Sequence, residues 1–145
     1  MESEEKIDAL IKEAVVLGLD GTELFGLHGF KTVREAYNGI GPEFLPAKIR
    51  EKITKLLSLF EPAALIHDIR NEFSDGTRYA FNRANYEFLG NCLKIANAKF
   101  PWYSPRRWIA RNVARVLYDF VSGDSGWRAW IEAKERHAAK LQKKG

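Results

Sequence analysis

Apolar positions along this chain recur mainly at intervals of three and four residues, the rhythm of amphipathic helices. Ile7, Leu10, Ile11, Ala14 and Val15 form the first stripe; Ser3 with Glu4 and Glu5 supplies a capped, dipole-matched start, and Gly18 a stop. The rhythm then breaks. Six glycines fall between Gly18 and Gly41, with Asp20-Gly21 as a turn signal, and this stretch reads as a small hairpin or an irregular loop. Pro46 opens a second stripe through Ile49, Ile53, Leu56, Leu57 and Phe60, and Glu61-Pro62 restarts the chain into Ala63-Ala64-Leu65-Ile66-His67-Asp68.

Ser74-Asp75-Gly76-Thr77 predicts a turn ending in an N-cap, after which Phe81, Phe88, Leu89, Cys92, Leu93 and Ala96 mark a long helix. Two helices flanking one such turn are expected to pack antiparallel. Ser104-Pro105 starts another helix, carrying Trp108, Val113, Val116, Leu117 and Phe120. Asp124 or Ser125 caps a last one with Trp127, Trp130 and Ile131, whose basic end, Lys140 to Lys144, is expected to fray. The fold class is therefore mainly α, without internal repeats. At 145 residues the chain is the size of a single domain able to bury a core.

Composition narrows the class further. With 46% hydrophobic and 29% charged residues the chain is unlike a disordered tail, and no apolar run reaches the roughly 18 residues of a spanning helix. The acidic start Met1-Glu2-Ser3-Glu4-Glu5 is the reverse of a signal-peptide n-region, and the lone Cys92 excludes an intramolecular disulfide. A cytoplasmic location is the expectation. Charge is uneven: residues 1–97 hold 12 Lys/Arg against 15 Asp/Glu, net −3, and residues 98–145 hold 11 against 4, net +7. The basic C-terminal part is either a solvated face or a patch for phosphate, on an anionic membrane surface or on nucleic acid.

One stripe carries candidate chemistry. Phe60, Ala63, Ala64, His67 and Asn71 share a helix face, and small alanines beside His67 allow a neighbouring helix to approach. The next helix has Asn85 inside its apolar stripe, where an amide needs a partner. The spacing predicts that His67 and Asn85 meet, the amide oxygen accepting one imidazole N–H and leaving the other nitrogen as a base. Asp68, about 100° further round, is turned toward a loop or a cation. A core histidine held only for packing fits the same spacing. His28 and His137 have no metal-ligand spacing to His67 or Cys92, Cys92 reads as a packed core thiol, and the glycines spell no phosphate loop.

Three short motifs in order, Asn38-Gly39-Ile40-Gly41-Pro42, Ala63-Ala64-Leu65-Ile66-His67-Asp68 and Asn85-Tyr86-Glu87-Phe88-Leu89-Gly90-Asn91, resemble those of the phospholipase A2 superfamily, most closely its short phage and bacterial relatives. The resemblance covers residues 38 to 93. It implies a core of two antiparallel helices with flanking N- and C-terminal helices, and a histidine base that activates water against a phospholipid ester. By the same resemblance His67 is the base, Asn85 its partner, Asp68 the side-chain ligand of Ca²⁺, and Gly39 and Gly41 its carbonyl ligands. This chain has Ile40 and Ala64 where the family has a disulfide, Asn85 where it has an aspartate, and Asn71 where it has a tyrosine. Three function classes follow: a Ca²⁺-dependent phospholipid hydrolase; a catalytically silent, phage-related or bacterial interaction or structural protein on the same scaffold, with a protein partner; and a nucleic-acid binder, the least favoured.

Overall fold

Three predicted helix starts are built by the side chains expected of them. Ser3 Oγ accepts the Lys6 amide at 3.2 Å, Thr77 Oγ1 the Ala80 amide at 3.1 Å, and Ser104 Oγ the Arg106 amide at 3.2 Å. Each satisfies one of the donors that a helix N-terminus leaves unpaired. The computed structural model describes residues 2–37, residue 47 and residues 55–144, and every regular element among them is a helix. These are α1 (Glu4–Val16), α2 (Glu23–His28), α3 (Phe30–Ala36), α4 (Glu61–Phe73), α5 (Arg78–Lys99), α6 (Pro105–Ser122) and α7 (Asp124–Lys144). Residues 55–59 are helical as expected and run into α4 through Phe60, which is fully buried. The start of that predicted helix, with Pro46, Ile49 and Ile53, lies outside the described residues.

Among the described residues between Gly18 and Gly41, where a small hairpin or an irregular loop was expected, two short helices stand instead. Leu24, Phe25, Val33 and Ala36 are the buried positions of α2 and α3. Glycine serves their ends: Gly29 has φ 82° between them, and Gly21 has φ 96°. A Cβ on Gly21 would lie 2.7 Å from Ile66 Cγ2, so the turn before α2 presses directly onto α4. Read as hairpin punctuation, these glycines are helix boundaries.

Helix α4 is the centre of the molecule, packed by α1, α3, α5 and α7. That explains a burial wider than one stripe: Pro62, Ala63, Ala64, Leu65, Ile66 and Ile69 are all buried, as befits a helix surrounded on most sides. The main core gathers these with Ile7, Leu10 and Ala14 of α1, Phe88, Cys92, Ile95 and Ala96 of α5, and Ala110, Val113, Ala114 and Leu117 of α6. Helices α5 and α6 are antiparallel: Asn97 meets Arg107 and Arg111 at one end, while Tyr86 meets Tyr118 and Asn85 meets Val121 at the other. A second cluster, Phe81, Ala84 and Trp130, attaches α7, with Trp127 and Trp130 set edge-on to Phe81 at 5.1 and 5.4 Å. Helix α7 continues through Lys144. No helix among the described residues is long and apolar enough to cross a membrane.

Candidate functional site

His67 lies two turns into α4, with Ala63 and Ala64 buried beneath it. Its neighbour across the helix pair is Asn85, 1% exposed on α5. The contact expected from spacing is present: His67 Nε2 and Asn85 Oδ1 are 2.8 Å apart. The other end of the amide decides the proton. Asn85 Nδ2 donates to the carbonyl of Val121 at 3.4 Å, so the amide oxygen is the end that faces the ring. Nε2 must then carry the hydrogen and donate, and Nδ1 holds the lone pair. Phe88 packs against the imidazole with ring centroids 4.9 Å apart.

The ring sits deep enough that burial lowers its pKa, and the bond to Asn85 opposes this only in part. His67 is therefore neutral at pH 7. Cys92, one turn beyond Phe88 on α5, is a free, fully buried thiol, and burial pushes its pKa up; it is an inert core residue, as its stripe indicates.

Asp68 turns to a different neighbourhood, as one step along a helix requires. Tyr37, which ends the described segment just ahead of Asn38, is 5% exposed, and its hydroxyl makes no well-formed hydrogen bond. Burial raises this phenol far above the usual tyrosine range, and the nearby carboxylates of Glu61 and Asp68 push it further in the same direction. Lys6 holds Glu61 at 3.1 Å and Glu2 at 3.4 Å. Asp68 is close enough to this group for its charge to be felt at the Tyr37 hydroxyl. Gly39 and Gly41, the expected carbonyl ligands, and Ile40 lie outside the described residues; Ala64 is buried in the core. Among the described residues no three His, Cys, Asp or Glu side chains gather as a metal cluster.

Three polar devices on these helices were not anticipated from sequence. Arg70, one turn after His67, grips Glu87 through Nε and Nη2, both at 3.0 Å, and reaches Glu23 at 3.4 Å, tying α2, α4 and α5 together. Asn91, fully buried, clamps the backbone of Asp20: it accepts the Asp20 N–H at 2.8 Å and donates to the Asp20 carbonyl at 2.9 Å. Asn97 accepts from both Arg107 and Arg111. The available signal was an amide inside an apolar stripe, which singled out Asn85 and applied equally to Asn91. A cleft of about 870 Å³ opens between α2, α4 and α5, lined by Leu24, His28, Phe73, Tyr79, Arg83 and Glu87 among others; neither His67 nor Asp68 borders it.

No protein-family model, curated protein or solved structure matches this chain.

Proposed function

We propose that this chain is a phospholipase A2-like domain that hydrolyses phospholipid acyl esters, with His67 as general base. The observation that carries the reading is the oriented bond from His67 Nε2–H to Asn85 Oδ1, which leaves a neutral imidazole with Nδ1 as its acceptor. In the step proposed, Nδ1 takes a proton from water as the water oxygen bonds to the ester carbonyl carbon. The tetrahedral intermediate then collapses, the C–O bond to the glycerol oxygen breaks, and the imidazolium returns its proton to that leaving oxygen. Fatty acid and lysophospholipid are the products.

In this reading Asp68, a hard oxygen donor, would hold Ca²⁺, with the carbonyls of Gly39 and Gly41, which lie outside the described residues, as the other expected ligands. Bound there, Ca²⁺ would supply charge stabilisation for the oxyanion.

A second reading, a catalytically silent scaffold with a protein partner, is favoured by one specific feature. Asn85 orients the ring but carries no charge to offset an imidazolium formed in the reaction. Fatty-acid release from mixed phosphatidylcholine and phosphatidylglycerol vesicles in Ca²⁺ decides between the readings. The hydrolase reading expects release that His67→Ala abolishes and Asp68→Asn reduces together with calorimetric Ca²⁺ binding. Release no greater than that of His67→Ala would refute it.

A further inference from the structure

The loop joining α5 to α6 and the first turns of α6 carry an unusual surface. Trp102 is 83% exposed, Tyr103 71%, Trp108 69% and Ile109 46%, whereas Trp130 of α7 is buried. Trp102 and Tyr103 stand edge-on to each other at 5.7 Å. Large rings left in water beside bare aliphatic carbon mark a surface built to meet something.

Charge says what kind of thing. Between Glu87 and Asp119 the chain has no acidic residue, but it has Lys94, Lys99, Arg106, Arg107, Arg111 and Arg115. Lys94 pairs with Asp20 and Lys99 with Glu13. Among the described residues no carboxylate pairs with any of the four arginines. Two of them are nevertheless drawn together: Arg107 Nε at 2.9 Å and Arg111 Nη1 at 2.8 Å donate to the same Asn97 Oδ1. Like charges four apart on a helix repel, and a neutral amide holds them in place without cancelling either. The fork of a guanidinium matches phosphate. At about 100° per residue, Arg107, Arg111, Arg115 and Trp108 fall within one arc of α6 roughly 100° wide.

We infer that this aromatic and basic face docks the protein on an anionic phospholipid surface. Tryptophan and tyrosine favour the headgroup level of a bilayer, and arginine binds its phosphates. Beyond Trp108, roughly 80–100° further round α6, the exposed Ile109 and Val116 add aliphatic contact that a bilayer rewards and stacked bases do not. Docking does not depend on hydrolysis at His67, and the face lies outside the region that resembles phospholipase A2.

The test is co-sedimentation of the full chain with vesicles of phosphatidylcholine alone and of phosphatidylcholine mixed with phosphatidylglycerol. The chain should sediment with the mixed vesicles, less so as salt is raised, with a blue shift of tryptophan emission. Arg107→Gln with Arg111→Gln should weaken partitioning roughly thirtyfold. Trp102→Ala with Trp108→Ala should abolish the blue shift; both positions are exposed, and unchanged circular dichroism certifies the fold. His67→Ala should bind as the parent does, which keeps this result separate from any failure of catalysis. The inference is overturned by equal binding to both vesicle types, by none to either, or by arginine and tryptophan substitutions without effect. Tighter binding of a labelled single-stranded oligonucleotide than of mixed vesicles in the same buffer would assign the face to nucleic acid and overturn it as well.

Discussion

The bond between His67 and Asn85 makes a quantitative claim about stability that needs no assumption about activity. Replacing Asn85 with Leu strands two polar groups, the His67 Nε2–H and the Val121 carbonyl. A buried group left unsatisfied costs about 1–3 kcal/mol, and the 3.4 Å contact to Val121 belongs at the low end, so about 3 kcal/mol is expected in total. For a domain of this length that lowers Tm by roughly 10 °C. His67→Leu alone strands Asn85 Oδ1 and costs about 2 kcal/mol. The double variant should lose only about 1 kcal/mol rather than the additive 5 or so, because removing both partners of a bond leaves just the Val121 carbonyl unmet. Urea unfolding of the four proteins, with m values held constant, measures the coupling. Additive losses would refute the bond as a structural determinant.

The same histidine sets a pH dependence. Its folded pKa lies below the ordinary 6.5, so as pH falls the unfolded chain takes the proton first. Stability should therefore decline as pH drops below about 6.5, and His67→Leu should flatten that slope in urea titrations across the range; an unchanged slope would refute the buried neutral imidazole. Asn91→Ala removes both bonds to the Asp20 backbone and should cost about 2 kcal/mol, with faster hydrogen exchange at the Asp20 amide as the local sign. Gly126 lies against α6 so closely that an added Cβ would meet the Val121 oxygen at 1.8 Å. Gly126→Ala should destabilise by about 3 kcal/mol and shift the His67 ring resonances, because Val121 orients the amide that holds the ring; unmoved resonances would break that chain of contacts.

How far the sequence carried the structure depended on whether a signal was local. Caps at Ser3, Thr77 and Ser104 need only the next few residues, and all three formed. The His67 and Asn85 pairing was legible because one short turn fixes how α4 and α5 meet, and each polar residue sat in an apolar stripe. Helices α2 and α3 were missed because six- and seven-residue helices barely establish a period and glycines at their ends mimic turn punctuation. The wide burial of α4 was also hidden: nothing in its own residues announces that α1, α3, α5 and α7 all pack on it. Asn91 carried the same signal as Asn85, but its partner is a backbone 71 positions away, which no pattern along one helix reveals.

Asn85 now reads differently from a catalytic aspartate that has been lost. Both ends of its amide are used, the oxygen toward His67 and the nitrogen toward the Val121 carbonyl, and a carboxylate could serve only the first. Asn85→Asp would set a carboxylate oxygen against a carbonyl oxygen at a nearly buried position while placing a charge 2.8 Å from the imidazole. The two consequences oppose each other. Stability should fall by about 2 kcal/mol at neutral pH, since a buried carboxylate facing a neutral ring is poorly compensated, and the His67 pKa should rise. If the chain hydrolyses phospholipid, the same substitution should speed fatty-acid release, because an imidazolium formed in the reaction would gain its counter-charge. A variant that is less stable and faster supports the hydrolase; one that is less stable with no release at all places Asn85 among the residues that hold α6 to α5, with the histidine retained for packing.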